Sequence, residues 1–256
     1  MVATSWRGEM MNIFVPCEES QAVTIELRNR GHKAFSCDII ECSGGHPEWH
    51  IKGDALPLLN GNCKFKTMDG IEHSIEGKWD MIIAFPPCTH LSSSGQWAYS
   101  KGKDTRLRED AVDFFMKFAN ADCPRIAIEN PVGIMSSRWR KPNQIIHPWQ
   151  FGHNAEKQTC LWLKGLPNLV PDVTEKPELE YFDWVDSRTG QKKRMQKWMY
   201  DIRCISDRKK RAAIASKTFP GIARAFSEQW AGNAPEITEE KIACRKWLMD
   251  LLGDCL

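Results

Sequence analysis

The residue best suited to covalent chemistry in this sequence is Cys88, which directly follows Pro86 and Pro87. The apolar run 80–85 predicts a buried strand, and the two prolines end it along a fixed path. A thiolate is a strong nucleophile, whereas a thiol is inert, so a cysteine at the end of a buried strand is a candidate catalytic group. The other nine of the ten cysteines are more simply interpreted as small buried residues.

A carboxyl group follows the next buried strand. Residues 125–128 predict that strand, and Glu129, Asn130 and Pro131 come directly after it. The carboxyl ends of neighbouring parallel strands meet at one edge of a sheet, so we expect Glu129 to project into the same crevice as Cys88. Taken alone, Glu129 would be interpreted as a helix cap or a surface acid.

These two positions require a sheet that brings strand ends together, and the hydrophobic pattern predicts one. Strands are predicted at 11–15, 34–40, 80–85, 125–128 and 159–163. Helices are predicted at 20–30 with Ser20 as its N-cap, and at 111–121, 220–230 and 238–252. This alternation predicts the α/β class, with a doubly wound, mainly parallel sheet that binds ligands beyond the carboxyl ends of its strands.

The composition is that of an ordinary globular protein. Of the 256 residues, 42% are hydrophobic and 27% are charged, and the net charge is +2, which excludes disordered, collagen-like and coiled-coil classes. No apolar run reaches the ~18 residues that a membrane span needs. The N-terminal residues lack the apolar core of a signal peptide. We therefore expect a cytoplasmic protein that does not bind membranes.

Cysteines and histidines cluster after the second predicted strand, with spacings that zinc ligands can have: Cys37, Cys42, His46 and His50, with Cys63 nearby. No Cys-x-x-Cys pair is present, and Cys37 lies within a predicted strand, so no metal site is predicted. The loop 42–50 is instead expected to shape or cover a ligand pocket. The polar segment 92–97 is predicted to be a mobile loop that closes over the substrate.

The charge distribution changes after residue 170. Residues 172–186 carry six acidic residues and one lysine, whereas 188–211 carry ten Lys or Arg residues against two Asp. The basic stretch is either a solvated face that the acidic stretch balances or a surface that contacts a phosphate backbone. We divide the chain into a catalytic and cofactor-binding α/β core (1–170), a small basic region (171–211) and C-terminal helices that complete the core (212–256).

Together these features resemble the cytosine-C5 DNA methyltransferase family, in particular its compact, phage-type members. The likeness covers roughly residues 11–165 and 216–230. The family's nucleophile loop and its Glu-Asn motif match, in the same order, Pro86-Pro87-Cys88 and Glu129-Asn130. Pro131 stands where the family commonly has valine. The resemblance implies the Rossmann-like fold of S-adenosylmethionine-dependent methyltransferases, with 171–211 as a small target-recognition insertion.

The resemblance implies S-adenosylmethionine as the cofactor. The family holds it with the loop after the first strand, an acidic residue after the second strand and an aspartate near the adenine. The matching positions are Val15, Pro16, Cys17, Glu18, Glu19 and Ser20, then Asp38 with Ile39, and Asp54 with Ala55. Pro86 and Lys217 are expected to border the same pocket. The first loop lacks the glycines that are usual in the family.

The resemblance also implies double-stranded DNA as the partner of a monomer in a bacterial or phage-infected host cell. The predicted DNA contacts are Ser93, Ser94, Lys157, Lys192, Lys193, Arg194, Arg208 and Lys209. The family's Gln-x-Arg-x-Arg motif is missing; its nearest counterpart is 153–158, where Lys157 is a candidate replacement for an arginine.

The implied chemistry assigns a role to each catalytic residue. The thiolate of Cys88 adds to carbon 6 of a flipped-out cytosine, which makes carbon 5 reactive. For this, cations or dipoles near Cys88 must lower the pKa of its thiol. Protonated Glu129 near ring N3 balances the charge that develops, and Asn130 fixes the local turn or hydrogen-bonds the base. The product is 5-methylcytosine.

Lys217 suggests an alternative cofactor. The family's Gly-Asn-Ala-Val-Pro is replaced here by Ser-Lys-Thr-Phe-Pro at 216–220. A lysine beside a sulfonium costs about a few kcal/mol, whereas a carboxylate on the transferred carbon would pair with it. This predicts carboxy-S-adenosylmethionine and 5-carboxymethylcytosine, unless Lys217 points outward to a DNA phosphate. Two further alternatives are the same chemistry on another pyrimidine or on RNA, and an inactive DNA-binding relative.

Overall fold

The computed structural model describes residues 10–102 and 104–234. Its strands are β1 (Asn12–Pro16), β2 (Lys33–Asp38), β3 (His50–Lys52), β4 (Cys63–Lys66), β5 (Glu72–Ile75), β6 (Met81–Ala84), β7 (Ile126–Pro131), β8 (Gln144–Ile146), β9 (Thr159–Lys164), β10 (Tyr181–Val185) and β11 (Lys192–Gln196). Its α-helices are α1 (Ala22–Asn29), α2 (Ser93–Ser100), α3 (Arg106–Ala119), α4 (Met135–Arg138), α5 (Lys197–Arg203), α6 (Arg208–Ser216) and α7 (Pro220–Phe226). Short 3-10 turns span Pro47–Trp49, Leu56–Leu58 and Pro148–Phe151, and one π turn spans Ser227–Ala231.

Seven strands form the central sheet, in the order β3-β2-β1-β6-β7-β9-β8. Strands β3, β2, β1, β6 and β7 are parallel to one another, whereas β9 runs antiparallel to both of its neighbours, β7 and β8. The chain moves outward from β1 to β2 and β3, and then returns to place β6 on the other side of β1. This reversal leaves a crevice between the ends of β1 and β6, which is where doubly wound sheets bind ligands.

Both faces of the sheet are covered, so the central strands are apolar throughout. All four residues of β6 are buried. Successive residues of β1 point to opposite sides: Phe14 packs in one core with Phe115 of α3, whereas Ile13 packs in the other with Leu27 of α1 and Phe226 of α7. The two cores give the sheet a helical layer on each face, and the predicted α/β class with a mainly parallel sheet is confirmed.

The strands and helices predicted within the described residues are present with shifted bounds, and one predicted cap is wrong. Ser20 does not cap α1; the N-cap residue is Gln21, which has a left-handed backbone with φ of 59°. The carboxylate of Glu18 accepts hydrogen bonds from the α1 backbone instead, at 2.6 Å from Val23 N and 3.2 Å from Thr24 N. A carboxylate satisfies the free N–H groups at a helix start as well as a hydroxyl does, and it also complements the helix dipole.

A second correction concerns the segment 92–97, predicted to be a flexible loop. Most of it belongs to α2, which begins at Ser93. The start of α2 is held by the segment after β7, since the Ser93 backbone N–H and hydroxyl both donate to the carbonyl oxygen of Val132, at 3.0 and 2.8 Å. The helix predicted at 238–252 lies outside the described residues.

The basic region forms a small unit beside the central sheet. Strands β10 and β11 pair only with each other, and α5 packs against both of them. Helix α6 follows and continues across position 211, so one rigid element joins the predicted basic region to the predicted C-terminal helices.

Candidate active site

A cavity of about 470 Å³ lies at the carboxyl ends of β1, β2, β6 and β7. The loops that follow these four strands line it, together with Lys157 and the C-terminal part of α6. The cavity is therefore at the topological switch point of the sheet. A larger and more open groove of about 520 Å³ lies elsewhere, between Leu59 and α3, and contains none of the predicted site residues.

Cys88 lines this cavity at the end of β6. The backbone carbonyl of Cys88 accepts hydrogen bonds from the N–H groups of Leu91 (3.0 Å) and Ser92 (2.9 Å), which forms a tight turn after the prolines. Although Cys88 is partly exposed to solvent, the surrounding wall and the nearby carboxyl of Glu129 raise the pKa of its thiol. The Lys157 ammonium opposes this rise. The free protein therefore holds Cys88 mainly as a thiol at neutral pH.

Glu129 lines the same cavity at the end of β7, the strand next to β6. Burial raises the pKa of the Glu129 carboxyl, and the positive charge of Lys157 opposes this effect. A carboxyl in such surroundings stays protonated to a higher pH than usual, so it can donate a hydrogen bond to a ligand.

Asn130 and Gly133 attach the nucleophile loop to the end of β7. Asn130 is only 2% exposed, and its side-chain amide donates to the carbonyl of Pro86 at 2.7 Å. Gly133 packs so closely on this loop that an added Cβ would lie 2.0 Å from the carbonyl oxygen of Leu91. These contacts fix the Cys88 loop relative to Glu129, since both are held by the same short segment.

The other half of the cavity is formed by the loop after β1 and by the end of β2. Cys17 has a left-handed backbone, with φ of 61°, and burial raises the pKa of its thiol. Burial also raises the pKa of Glu18, to about 7, although the hydrogen bonds from α1 oppose the rise. Glu18 is thus engaged in holding α1, while Glu19 and Ser20 line the cavity beside it.

Asp38 and Ile40 form the outer wall at the end of β2, whereas the predicted cofactor residue Ile39 lies outside the wall. The Asp38 carboxylate lines the cavity and accepts one hydrogen bond from Ile40 N at 3.3 Å. Burial raises the pKa of Asp38. Ile39 and Ile40 are 77% and 54% exposed, which is high for isoleucine. An acidic group beside exposed apolar side chains suits a ligand that has both hydroxyl groups and an apolar ring.

Several predicted cofactor residues lie outside the cavity wall. Val15 and Ala55 are buried in the core, and Pro16 is buried in β1. Asp54 accepts a hydrogen bond from Leu56 N at 3.0 Å and so caps a 3-10 turn. These positions support the loops around the cavity, whereas Cys17, Glu18, Glu19, Ser20, Asp38, Pro86 and Lys217 line it directly.

Two lysines that the sequence associates with separate roles both line the cavity. Lys157 faces the Cys88 and Glu129 end, and its ammonium donates to the carbonyl of Ala215 at 3.2 Å. Lys217 lies toward the loop 42–50, and its ammonium donates to the hydroxyl of Ser43 at 3.0 Å. The sequence predicted that Lys157 contacts DNA. Lys157 instead lies near Glu129, because the segment that leads into β9 crosses the end of β7.

The remaining predicted DNA contacts lie elsewhere. Lys192, Lys193 and Arg194 are on β11, and Arg208 and Lys209 begin α6. The hydroxyl of Ser93 is bonded to Val132, and the side chain of Ser94 lies outside the described part of the chain. The part of α6 that lines the cavity, at Ala212, Ala215 and Ser216, had no sequence signal that pointed to it.

Among residues 10–102 and 104–234, no cluster of three or more His, Cys, Asp or Glu side chains could hold a metal ion. Within the same residues, no helix has the length and apolar character needed to cross a membrane.

Comparisons with known proteins do not identify a family. No family model matches the chain, and no curated protein matches it. Among solved structures, the chain is similar to a protein described as a candidate DNA modification methyltransferase encoded within an E. coli prophage, with 12% identity and a TM-score of 0.38. The match covers 60% of this chain and 46% of that chain, so less than half of the neighbour is matched.

Proposed function

We propose that the chain is an enzyme that transfers a one-carbon group from an S-adenosylmethionine-type cofactor to carbon 5 of cytosine in DNA. The observation that carries this proposal is the cavity that Cys88 and Glu129 share at the carboxyl ends of the neighbouring parallel strands β6 and β7. A nucleophile and a carboxyl with a raised pKa are the two groups that this reaction needs at one base.

The residues at the ends of β1 and β2 fit an adenosyl cofactor. Asp38 would bind the ribose hydroxyls, and Ile40 would contact the adenine, which accounts for its exposure in the free protein. The backbone after β1, at Cys17, Glu19 and Ser20, would hold the amino acid end of the cofactor. When bound, the cofactor supplies the electrophilic carbon that cytosine receives.

Cys88 provides the electrons that make carbon 5 reactive. Its thiolate forms a bond to carbon 6 of the ring, and the electron pair of the 5,6 double bond moves to carbon 5. After carbon 5 has gained its substituent, the proton on carbon 5 leaves to a base. The sulfur–carbon bond then breaks, which restores the double bond and the free enzyme.

Glu129 balances the charge of this addition. Because burial raises the pKa of its carboxyl, Glu129 can donate a proton or a hydrogen bond to ring N3 as negative charge develops there. Lys157 faces both groups and favours the charged form of each, so it is the chain's own source of stabilisation for the Cys88 thiolate. In this position Lys157 takes the place of an arginine of the missing motif.

The substrate base must leave its stack to reach this cavity. Carbon 6 of a stacked cytosine is not accessible to a side chain that lines a cavity, so the nucleotide is flipped out. Flipping requires that the flanking duplex be held. The basic side chains at the start of α6, whose C-terminal part lines the cavity, and those of β11 would do this.

The test is covalent trapping on duplex DNA that contains 5-fluorocytosine. Fluorine at carbon 5 cannot leave as a proton does, so the adduct persists and is seen as a protein–DNA band on a denaturing gel. We expect trapping by the wild type with S-adenosylmethionine, none by Cys88→Ser, and full trapping by Cys204→Ser, which removes another exposed thiol.

The alternatives give different results in the same experiment. Trapping on 5-fluorouracil or on RNA, in preference to 5-fluorocytosine in DNA, would indicate a different pyrimidine substrate. Duplex binding without any trapping would indicate an inactive DNA-binding relative. A band that persists in Cys88→Ser would contradict the assigned nucleophile.

A second candidate reaction is carboxymethyl transfer from carboxy-S-adenosylmethionine, and the observation that favours it is the position of Lys217. Its ammonium lines the cavity and bonds a neutral hydroxyl, that of Ser43. A carboxylate on the transferred carbon would pair with Lys217. Mass spectrometry of nucleosides from DNA treated with each cofactor tests this: 5-carboxymethylcytosine is expected from the wild type and not from Lys217→Met. Only 5-methylcytosine, with both cofactors supplied, would refute it.

A further inference from the structure

The histidines that follow β2 take no part in the proposed reaction, and one of them, His50, is fully buried. His50 is the first residue of β3. Ser36 of β2 and Gln21 at the start of α1 are fully buried as well. Buried polar side chains cost free energy unless their donors and acceptors are paired, so the partners of these three residues show what they hold in place.

The partners of His50 determine the form of its ring. Burial lowers the pKa of His50, so the ring is neutral at neutral pH. Its Nε2 lies 3.0 Å from the carbonyl oxygen of Ile40, which can only accept a hydrogen bond, so Nε2 carries the proton. Nδ1 is then an acceptor, and the hydroxyl of Ser36 donates to it at 2.8 Å. His50 therefore joins β2 to the backbone of the segment that follows β2.

Gln21 extends this buried network to the other end of the same segment. Its side-chain amide donates to the hydroxyl of Ser36 at 3.3 Å and to the carbonyl of His46 at 2.8 Å. Its side-chain oxygen accepts from the backbone N–H of His46 at 3.1 Å. Gly44 packs so closely that an added Cβ would lie 2.6 Å from the Cβ of Gln21. The segment 39–46 is thus held near its start by His50 and near its end by Gln21.

Ile40 belongs to this segment and lines the cavity. Its backbone N–H donates to the carboxylate of Asp38 at 3.3 Å, and its carbonyl oxygen accepts from His50 at 3.0 Å. The side chain leaves the backbone between these two bonds, so together they determine where it lies in the cavity wall. Without the bond from His50, the backbone would be free to turn the Ile40 side chain away from the cavity.

We propose that His50 is a positioning residue for the cofactor: it holds the backbone of Ile40 so that the Ile40 side chain forms the wall on which the adenine ring packs. Ser36 and Gln21 support His50 in this role. The proposal rests on the proposed function, because it takes an adenosyl cofactor as the ligand. A wall that is ordered before binding increases the affinity, since binding then does not bear the cost of ordering it.

The experiment measures the binding of S-adenosylhomocysteine to the full chain by titration calorimetry, without DNA. His50→Leu has no ring nitrogen, so we expect its Kd to rise about 5- to 150-fold. His50→Gln keeps an N–H for Ile40 and an oxygen for Ser36, so its Kd should stay within about fivefold of the wild-type value. Ser36→Ala removes only the support of the ring, and the expected rise in Kd is about 2- to 12-fold.

Transfer kinetics separate positioning from a general loss of structure. In His50→Leu the KM for S-adenosylmethionine should rise with the Kd. The kcat at saturating cofactor should stay near the wild-type value, because Cys88 and Glu129 are unchanged. The affinity for duplex DNA should be unchanged as well.

His32 provides the matched control. It is also buried, its Nδ1 accepts from the backbone N–H of Met11 at 3.3 Å, and its Nε2 lies 3.0 Å from the carbonyl oxygen of Gly232. It precedes β2 and therefore lies at the opposite end of that strand from the cavity. His32→Leu should lower the midpoint of thermal unfolding, as His50→Leu does, but its Kd for S-adenosylhomocysteine should equal that of the wild type.

The proposal is overturned if a folded His50→Leu binds S-adenosylhomocysteine as tightly as the wild type, or if His32→Leu weakens binding to the same extent. If His50→Leu does not fold, Ser36→Ala decides, and an unchanged Kd in that variant overturns the proposal. A wild type that does not bind S-adenosylhomocysteine would instead contradict the proposed function itself.

Discussion

The cavity and the basic region differ in how their functional side chains are held. At the cavity, Cys88 follows β6 and Glu129 lies in the last part of β7. Both strands are paired on both sides, so the central sheet determines the separation of the two residues. In the basic region, Arg194 of the β10–β11 strand pair is held by an exposed ion pair with Asp183 and by the ring of Tyr181. Chemistry requires a fixed geometry, whereas recognition of a long anionic partner tolerates adjustment. The difference predicts that substitutions in the two regions affect different measurements.

The largest expected effect is from Glu129→Ala. A carboxyl that protonates the substrate contributes about 10²- to 10⁴-fold to the rate, so the rate of single-turnover transfer should fall by that factor. Duplex affinity should change little, because Glu129 lies inside the cavity. A fall in affinity equal to the fall in rate would contradict the separation between the two regions.

The next effect concerns stability. Gly133→Ala would place a Cβ 2.0 Å from the carbonyl oxygen of Leu91, and the backbone must shift to relieve this contact. We expect a loss of about 1–3 kcal/mol in the free energy of unfolding, measured by urea denaturation. Gly53→Ala is the matched control, since a Cβ there meets no atom within 4 Å. Equal stability of the two variants would show that the Cys88 loop is not held by Gly133.

The pH dependence of transfer sharpens the assignment within the cavity. Both pKa values are raised, and the reaction needs protonated Glu129 together with thiolate Cys88. With the pKa of Glu129 below that of Cys88, the rate should rise about tenfold per pH unit up to the pKa of Glu129. It should then stay level until the pKa of Cys88, because loss of one form offsets gain of the other, and fall above it.

Glu129→Gln provides the check on that profile. Glutamine does not ionise, so the pH range in which the transfer rate is constant should disappear. The rate should instead continue to rise up to the pKa of Cys88. If the rate of Glu129→Gln is still constant over that pH range, the ionisation of another group causes the plateau.

The smallest expected effect is in the basic region. Lys193→Gln removes the ion pair with Asp186, in which the lysine side chain is 43% exposed and the aspartate side chain 12%. Ion pairs at the protein surface contribute between about 0 and 1 kcal/mol, so the free energy of unfolding should fall by about that amount. A loss comparable with that of Gly133→Ala would mean that the β10–β11 strand pair is part of the folding core.

Much of the central sheet could be predicted from the sequence. Residues 81–84 and 126–128 are apolar without interruption, which is typical of parallel strands covered on both faces, and both segments lie in strands. The start of α1 was mispredicted because the side chain that accepts hydrogen bonds from its first turn is that of Glu18, which lies three residues before the N-cap residue Gln21. The segment 92–97 was mispredicted because contacts with Val132, distant in sequence, order it as a helix.

The sequence by itself determined that Cys88 and Glu129 stand at strand ends, since apolar strands and prolines are local signals. Only the tertiary structure decided which charges face the cavity and which face solvent. Lys157 lies beside Glu129 because of the path of the chain before β9. Lys193 shares a face of the β10–β11 pair with Phe182, and only the docking of α5 decides that this face is the one that packs. Those placements depend on contacts between residues far apart in sequence, and no local pattern encodes them.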